Sequence, residues 1–242
     1  MSDPFEACAA AVRKHDPDRY FSALFAPADK RPLLFALYAF NHELAHVGES
    51  VHEPMIGEIR LAWWREALDG ARSGTPRNHD VVRAMADTLK AADLPDDLFR
   101  AMIDAKQFDL MSGTFGDFGK RDDYLDATSC NVMRLAARIL GAGDRHDGLA
   151  KEAGLAYGIA GLLRNQARHP ARRILEPEDE PQAVRDAQAH LARARTLPKP
   201  RKALAAFLPA ALVPLYLHNP AKDVPVHRRQ LRLLGASMRG RI

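Results

Sequence analysis

The chain follows a helical hydrophobic pattern along nearly its whole length. No segment shows β-branched residues alternating with polar ones. Alanine, leucine and arginine, which favour helices, are prominent, and breaks fall at clusters such as SGTP, GAGD and HNP. The pattern predicts an all-α protein with helices over 32–50, 55–73, 79–93, 96–113, 121–141, 147–169, 181–195, 200–216 and 226–238.

Length and composition are typical of a globular protein with one core. The chain has 242 residues, of which 47% are hydrophobic and 27% charged, so we expect a single domain over 1–242 with a basic tail at 221–242. The net charge of +4 is too small and dispersed to indicate nucleic-acid binding, so no nucleic acid is expected as a partner.

Cysteine content and hydropathy bear on location. Cys8 and Cys130 are the only cysteines, so no disulfide framework is expected, and a reducing compartment is favoured. The N-terminal stretch does not resemble a secretory signal, and 203–217, the most apolar segment, is too short for a span and contains Pro209 and Pro214. A cytoplasmic protein is expected.

Residues 42–46 read HELAH, the H-E-x-x-H pattern that binds zinc in many metalloproteases. His42 and His46 share a helix face, Glu66 could be a third ligand, and Glu43 could be the general base acting on zinc-bound water. With ten histidines in the chain, however, the pattern can arise by chance. An all-helical chain also lacks the strand that usually aligns a protease substrate. A metal-dependent hydrolase is therefore a remote alternative.

The helix that contains HELAH has two different apolar sides. An apolar stripe is predicted to enter the core and consists of Leu33, Leu37, Phe40, Leu44 and Val47. Phe35 and Tyr38 lie nearer the histidines. This helix is therefore expected to be covered on both sides.

Longer stretches, in order along residues 15–220, resemble the squalene/phytoene synthase family. ALYAFNHELAH followed by RLAWWREAL is similar to the family's ALYAFCR segment, first aspartate-rich motif and RLxxWRxxL helix. MIDAKQFDL (102–110) and YLDATSCNVMRLAARILG (124–141) resemble later helices, and AGLAYGIAGLLRNQARHPARRILEP (153–177) resembles the second aspartate-rich region. The resemblance implies the isoprenoid (terpenoid) synthase fold, a single helical bundle around a central cavity.

The family joins two prenyl diphosphates head to head, with Mg²⁺ held by D-x-x-x-D motifs on two helices. Here the first motif's aspartate positions hold Ala45 and Glu49, and the second motif's hold Asn165 and His169. Such donors do not make a site for two or three Mg²⁺ ions. The resemblance therefore implies a pseudoenzyme that has lost prenyl transfer and needs no cofactor.

The stretch AFNHELAHVGESVHEPMIGEIRLAWWREALDG (39–70) resembles the branch of the family that includes a mitochondrial assembly factor of respiratory complex I. This implies an assembly factor, scaffold or prenyl-lipid-binding protein with protein partners in membrane-complex assembly, peripheral on the inner membrane. The alternative is a divergent head-to-head prenyl-diphosphate synthase with residual activity. It would hold Mg²⁺ weakly through Glu49, Asn165 and nearby carboxylates such as Asp104 and Asp109, with Arg164 retained.

Two further ligand hypotheses rest on the family positions. A prenyl diphosphate or lipid anion could be bound by Lys30, Arg31, Tyr38 and Arg164, although Lys30 and Arg31 equally suit a solvated helix start. A transition metal such as zinc could be held by His42, His46, Glu49 and His169. For these histidines we favour the other interpretation, in which they form hydrogen bonds within a filled former active site.

Two segments leave alternatives open. Residues 172–184 are polar and contain prolines, so they form either a mobile flap or a simple connection. The tail at 226–242 is basic, and Leu231, Leu234 and Met238 can share one helical face. It either lies on an anionic membrane surface or docks on the body as a solvated terminal helix.

Overall fold

The computed structural model describes residues 3–50, 53–111, 113–170 and 173–242. The chain divides into two compact units: residues 1–112 with 138–141, and residues 113–137 with 142–242. All regular elements of the described residues are helical, which confirms the all-α prediction. The single-domain prediction stays a prediction.

The first unit consists of six α-helices and a short 3₁₀ turn: α1 (Pro4–His15), α2 (Pro17–Ala23), α3 (Arg31–Ser50), α4 (Pro54–Arg72), α5 (Asp80–Ala91), α6 (Asp96–Ala105) and the turn Phe108–Leu110. The sequence interpretation did not include α1 and α2, which both begin at an Asp-Pro pair. The Asp3 carboxylate accepts the amide of Phe5 at 2.9 Å, and the Asp16 carboxylate accepts the amide of Arg19 at 3.1 Å.

Helix α3 is the centre of the first unit and contacts α1, α2, α4 and α5. Its predicted core stripe is buried throughout, and Phe35 and Tyr38 are buried as well, which confirms that the helix is covered on both sides. Phe40 makes edge-to-face contacts with Trp64 and Phe99, with ring centres 5.5 and 5.7 Å apart. Such pairs add to the stabilisation that comes from burying the rings.

The second unit contains six α-helices joined by short turns: α7 (Phe118–Leu125), a π-helical turn (Asp126–Cys130), α8 (Asn131–Ile139, whose last two residues fall in the first unit), α9 (Asp147–Arg168), α10 (Glu180–Thr196), α11 (Val213–His218) and α12 (Val226–Arg239), with 3₁₀ turns at Asp144–His146, Pro177–Asp179, Arg201–Ala206 and Leu208–Leu212. Helix α9 packs against α10, α11 and the π-helical turn.

Three predicted helices were wrong in extent. The helix predicted over 96–113 ends at Ala105, and the chain continues in a tighter 3₁₀ turn spanned by the Lys106–Asp109 ion pair at 2.8 Å. The one predicted over 121–141 starts earlier and is interrupted by the π-helical turn. The one predicted over 200–216 is mostly 3₁₀, because Pro209 and Pro214 have no amide hydrogen to donate to the preceding turn.

Helix α9 approaches the π-helical turn so closely that a side chain cannot fit between them. A Cβ at Gly154 would lie 2.6 Å from both the Cα and the Sγ of Cys130. Across the contact, the Ser129 hydroxyl donates to the carbonyl of Gly154 at 2.9 Å. One turn further along α9, a Cβ at Gly158 would lie 2.8 Å from a methyl carbon of Leu125. The two glycines therefore set the distance between α9 and the 118–130 segment.

The C-terminal helix α12 docks on the second unit through Leu233 and Ala236, which are buried, and the side chain of Ile242 is also buried. The predicted stripe faces water instead: Leu231, Leu234 and Met238 are 65%, 45% and 80% exposed. Docking and an exposed apolar face therefore occur together on this helix.

Two sequence expectations about the whole chain can be compared with the structure. Cys8 and Cys130 are free and buried, as expected for a chain without a disulfide framework, and burial raises the pKa of the Cys8 thiol to about 12. Among the described residues, no helix combines the length and the apolar content needed to cross a bilayer.

Replacing Gly154 should destabilise the protein, whereas the same change at Gly161 should not. Gly161 lies on the same helix, and a Cβ there would meet no atom within 4 Å. Overpacking costs about 1–3 kcal/mol, and replacing a helical glycine by alanine returns about 1 kcal/mol. We expect Gly154→Ala to lower the free energy of unfolding in urea by up to about 2 kcal/mol and Gly161→Ala to raise it. Equal stabilisation by both changes would contradict the close contact.

Candidate functional site

The residues predicted to occupy the first motif, Ala45 and Glu49, lie in the last turns of α3. Ala45 is half-buried, and Glu49 is exposed. The Glu49 carboxylate lies 3.5 Å from Nδ1 of His46, which is itself exposed. The Ser50 hydroxyl donates to the carbonyl of His46 at 2.7 Å and accepts from Arg60 at the same distance. This end of α3 therefore offers one carboxylate, and a histidine and a basic side chain lie close to it.

Three histidines form a stack on the surface of the first unit. The rings of His15 on α1 and His42 on α3 lie nearly parallel with centres 4.3 Å apart, and the rings of His42 and His46 lie 6.0 Å apart. Burial lowers the pKa of His42, and the neighbouring His15 lowers it further, against an opposing effect of Glu43. The stack therefore favours a neutral central imidazole.

The 3₁₀ turn Phe108–Leu110 packs against α3 and α4 through two glycines. A Cβ at Gly48 would lie 2.8 Å from the Cβ of Asp109, and one at Gly57 would lie 2.3 Å from a methyl carbon of Leu110. The motif end of α3 is therefore covered by a turn whose own carboxylate, at Asp109, is paired with Lys106.

The other carboxylates that the sequence suggested as metal ligands also bind cations of the protein. Arg65 donates to Asp104 from two nitrogens, at 3.0 and 2.6 Å. Arg77 donates to Glu66 at 2.5 Å. These ion pairs occupy oxygens that the residual-synthase hypothesis assigned to Mg²⁺ and the hydrolase hypothesis assigned to zinc.

Three of the side chains predicted to bind a substrate lie near the start of α3. Tyr38 is 1% exposed, burial raises its pKa, and the guanidinium of Arg19 lies 5.8 Å from its ring centre. Arg31 donates from Nε to the carbonyl of Ala26 at 2.9 Å and so closes the turn before α3. Lys30 is half-buried. Tyr38 and Arg31 thus both contact other residues of the first unit.

The second motif position lies at the end of α9, in the second unit. Asn165 and His169 are exposed, and the backbone of His169 donates to the carbonyl of Asn165 at 2.8 Å, which ends the helix. The guanidinium of Arg164 stacks on the buried ring of Tyr216, 3.6 Å from its centre. Arg168 forms an ion pair with Asp223. Arg164 and Arg168, the two basic side chains near this motif position, therefore both contact other residues of the second unit.

The buried Gln166 is a residue that the sequence interpretation did not single out. It is 2% exposed, donates to the Glu180 carboxylate at 2.5 Å and accepts the amide of Leu175 at 3.1 Å. Gln166 follows Leu163 by three positions and therefore lies on the same, apolar face of the helix. A glutamine on an apolar face is the sequence signal that could have indicated a buried polar residue. These bonds link Gln166 to two residues of the 173–184 segment, and the choice between a mobile flap and a simple connection stays a prediction; residue 172 lies outside the described residues.

The donors present do not fit the metals that the sequence suggested. In the described parts of the chain, no three histidine, cysteine, aspartate or glutamate side chains form a group that could hold a metal ion. Within the first unit, neither His42 and His46 with Glu66 nor His42 and His46 with Glu49 are therefore assembled as a zinc ligand set; His169 belongs to the second unit. For Mg²⁺, the motif positions offer a methyl group, one carboxylate, an amide and an imidazole instead of four carboxylates.

The fold is shared with enzymes of isoprenoid synthesis. The chain is similar to a dehydrosqualene synthase, with a TM-score of 0.77, 15% identity and coverage of 98% of this chain and 96% of that one. It is also similar to a squalene synthase from Alicyclobacillus acidocaldarius, with a TM-score of 0.71, 21% identity and coverage of 98% and 94%. These similarities confirm the predicted all-α isoprenoid synthase fold.

The sequence profile of the squalene/phytoene synthase family matches residues 12–211, and the chain belongs to this family. It is 31% identical over 167 residues to the Bos taurus NADH dehydrogenase (ubiquinone) complex I, assembly factor 6, and 30% identical to the Homo sapiens protein of that name. Each match covers 69% of this chain and 50% of the relative, so the chain spans about half the length of these relatives. Phytoene synthase 1 of Arabidopsis thaliana is 22% identical over 189 residues, covering 74% of this chain and 44% of that one.

The histidine stack should make stability depend on pH. Because the pKa of His42 is lower in the folded protein than its ordinary value of 6.5, the unfolded chain takes up this proton more readily. The corresponding stabilisation is complete above pH 6.5 and is lost as the pH falls towards the folded pKa. We expect His42→Phe, which keeps an aromatic ring beside His15, to lose less stability between pH 7.5 and 5.5 than the natural protein.

Urea unfolding midpoints at the two pH values measure this difference. The matched control is His227→Phe, at an exposed position of α12, which should keep the pH dependence of the natural protein. An unchanged pH dependence in the His42 variant would show that the stack does not contribute.

Proposed function

We propose that this protein is a non-catalytic member of the squalene/phytoene synthase family that assists the assembly of a membrane-bound respiratory complex of the complex I type by binding a protein partner. The observation that carries the proposal is the donor set at the two motif positions, where Ala45, Asn165 and His169 replace three of four carboxylates. Glu49 is the single carboxylate left.

The chemistry of the family requires the charge of a leaving diphosphate to be neutralised by Mg²⁺ ions held on carboxylates. One exposed glutamate beside His46 supplies too few hard oxygen ligands for that task. Arg164 stacks on Tyr216 and Arg168 pairs with Asp223. We therefore assign neither arginine a role in binding a diphosphate. The same holds for Arg31, which bonds to Ala26.

The similarity to complex I assembly factor 6 supports a role in assembly, because those relatives are more similar to the chain than the phytoene synthase is. We place the protein in the cytoplasm, in peripheral contact with the inner membrane where such a complex is built. Since the chain spans about half the length of these relatives, the proposal concerns the partner-binding role of the shared region.

An exposed apolar surface on α4 supports protein binding. Met55, Ile56 and Ile59 are 68%, 43% and 63% exposed, and their spacing puts them on one face; we call them the α4 patch. An exposed apolar cluster on a globular protein is typical of an interaction site. The exposed carboxylates of Glu53 and Glu58 flank this patch and would be repelled by an anionic membrane. The patch therefore suits an apolar surface of a protein partner.

The test is genetic and biochemical. In the organism that supplies the chain, its gene is deleted and assembled NADH dehydrogenase is measured on native gels with an activity stain. The natural chain should restore the complex, and Ile59→Asp should restore less than about a third of it, since a buried charge in an apolar interface costs several kcal/mol. Val226→Asp is the matched control: an exposed apolar residue at the start of α12, where an aspartate is tolerated.

The outcomes separate the parts of the proposal. An unaffected complex after deletion would contradict the assembly role. A defect that both aspartate variants repair equally would keep the role and rule out the α4 patch. Equal amounts of the two variants in the soluble fraction, measured by immunoblot, together with equal thermal melting of the purified variants ensure that a loss with Ile59→Asp is a loss of binding.

A further inference from the structure

A cavity in the second unit is lined by five cationic side chains. It has a volume of about 600 Å³ and lies among α10, α12, the segments that follow these helices, and the 3₁₀ turn Leu208–Leu212. Its basic residues are Arg195, Lys199, Arg232, Arg239 and Arg241. The remaining lining consists of alanines, a glycine and Ile242, so among the described residues that line the cavity none is an aspartate or glutamate.

Backbone carbonyl groups hold three of these cations in place. Arg232 donates from Nε to the carbonyl of Ala211 at 3.0 Å, and Arg195 donates from Nε to the carbonyl oxygen of Ile242 at 2.9 Å. Lys199 donates to the carbonyls of Arg195 and Leu197 at 2.5 and 2.7 Å. An arginine has five N–H donors, and the bonds from Arg195 and Arg232 each use only the one on Nε. Neutral carbonyl groups thus position Arg232 and Lys199 without offsetting their charge.

The pKa shifts of two basic groups in the cavity agree with the close spacing of its cations. Burial and the neighbouring Arg232 lower the pKa of Arg195, and burial together with Arg195 and Arg241 lowers the pKa of Lys199. The second cause of each shift is repulsion between neighbouring cations: Arg232 acts on Arg195, and Arg195 and Arg241 act on Lys199. An α-carboxylate at Ile242 would offset one of the five charges and leave four. A bound anion would relieve the repulsion that remains.

We propose that this cavity binds an anion that carries a phosphate or diphosphate group. Guanidinium groups match phosphate oxygens with paired N–H donors, so a cluster of arginines favours phosphate over a simple halide. The volume is large enough for a diphosphate or a glycerophosphate headgroup. Since no residue of α3, α4 or α9 lines the cavity, the proposal is independent of both motif positions and of the α4 patch.

The ligand could come from solution or from a membrane, and α12 bears on this choice. Leu231, Leu234 and Met238 form the exposed apolar face of the helix that also supplies Arg232 and Arg239. If the phosphate belongs to a lipid, this face can contact the acyl chains beside the headgroup. If the phosphate belongs to a free metabolite, the apolar face is not needed for binding.

Two probes distinguish the sources. Inorganic pyrophosphate is titrated into the purified full chain by calorimetry. Sedimentation is measured with phosphatidylcholine vesicles that contain phosphatidylglycerol and with vesicles of phosphatidylcholine alone. The test variant combines Arg239→Gln and Arg241→Gln, both exposed, and should weaken binding about tenfold or more because two charge-assisted bonds are lost. The control combines Lys222→Gln and Arg228→Gln, which removes the same charge outside this cavity.

Two results would support the proposal, and two would overturn it. Saturable pyrophosphate binding that the test variant weakens and the control keeps would support the site with a soluble ligand. If only the vesicles that contain phosphatidylglycerol bind, and the test variant weakens this binding while the control keeps it, the site would be supported with a lipid ligand. Equal weakening by both double variants would show diffuse attraction and overturn the proposal, as would no binding of either probe. Circular dichroism melting of both variants ensures that a loss of binding is not a loss of fold.

Discussion

The contact between α9 and the π-helical turn at Asp126–Cys130 is the constraint on which the second unit depends. Because Gly154 has no side chain, the two backbones approach to a distance that any Cβ would prevent. Helix α9 then presents its other faces to α10 and α11. The positions of Arg164 over Tyr216 and of Gln166 against Leu175 and Glu180 follow from this arrangement. The helix that would carry the second aspartate motif is therefore fixed by packing, whatever its motif residues are.

Helix α3 has the corresponding place in the first unit. Its apolar side chains are buried on both sides, so its position is set by the core and not by the motif at its end. That independence lets the first motif change without loss of the fold. Ala45 and Glu49 stand where the metal-binding aspartates of the first motif are expected, and the turn carrying Asp109 packs against Gly48 beside them. The chain thus has the isoprenoid synthase fold, and the residues at its predicted first motif are not the aspartates of the family pattern.

The sequence predicted the elements whose stability comes from a regular apolar pattern. The buried stripe of α3 is correct because burial repeats with the helical period, and the long helices α4, α9 and α10 are correct for the same reason. The start signals of α1 and α2, an aspartate followed by proline, are present in the sequence, although the predicted helices begin only at residue 32. The 3₁₀ segments before α11 could not be placed, because a proline in an apolar run permits a kinked helix as well as a series of tight turns.

The candidate sites were predictable only in part. Loss of the aspartate motifs can be read from the sequence alone, since it depends on residue type. The stacking of His15 on His42 could not be, because it joins two helices whose packing the sequence does not state. The basic cavity has the same origin: its five cations come from two helices and the segments after them, and only the fold brings them together.

The most direct test of the central claim is a turnover measurement. Purified protein is incubated with labelled farnesyl or geranylgeranyl diphosphate and Mg²⁺ or Mn²⁺, and the release of diphosphate is followed. The account predicts no release above that of the Glu49→Ala, Arg164→Ala double variant, because one carboxylate cannot hold the metals that ionisation requires. Metal-dependent release by the natural chain that the double variant abolishes would contradict it and would make the protein a divergent prenyl synthase.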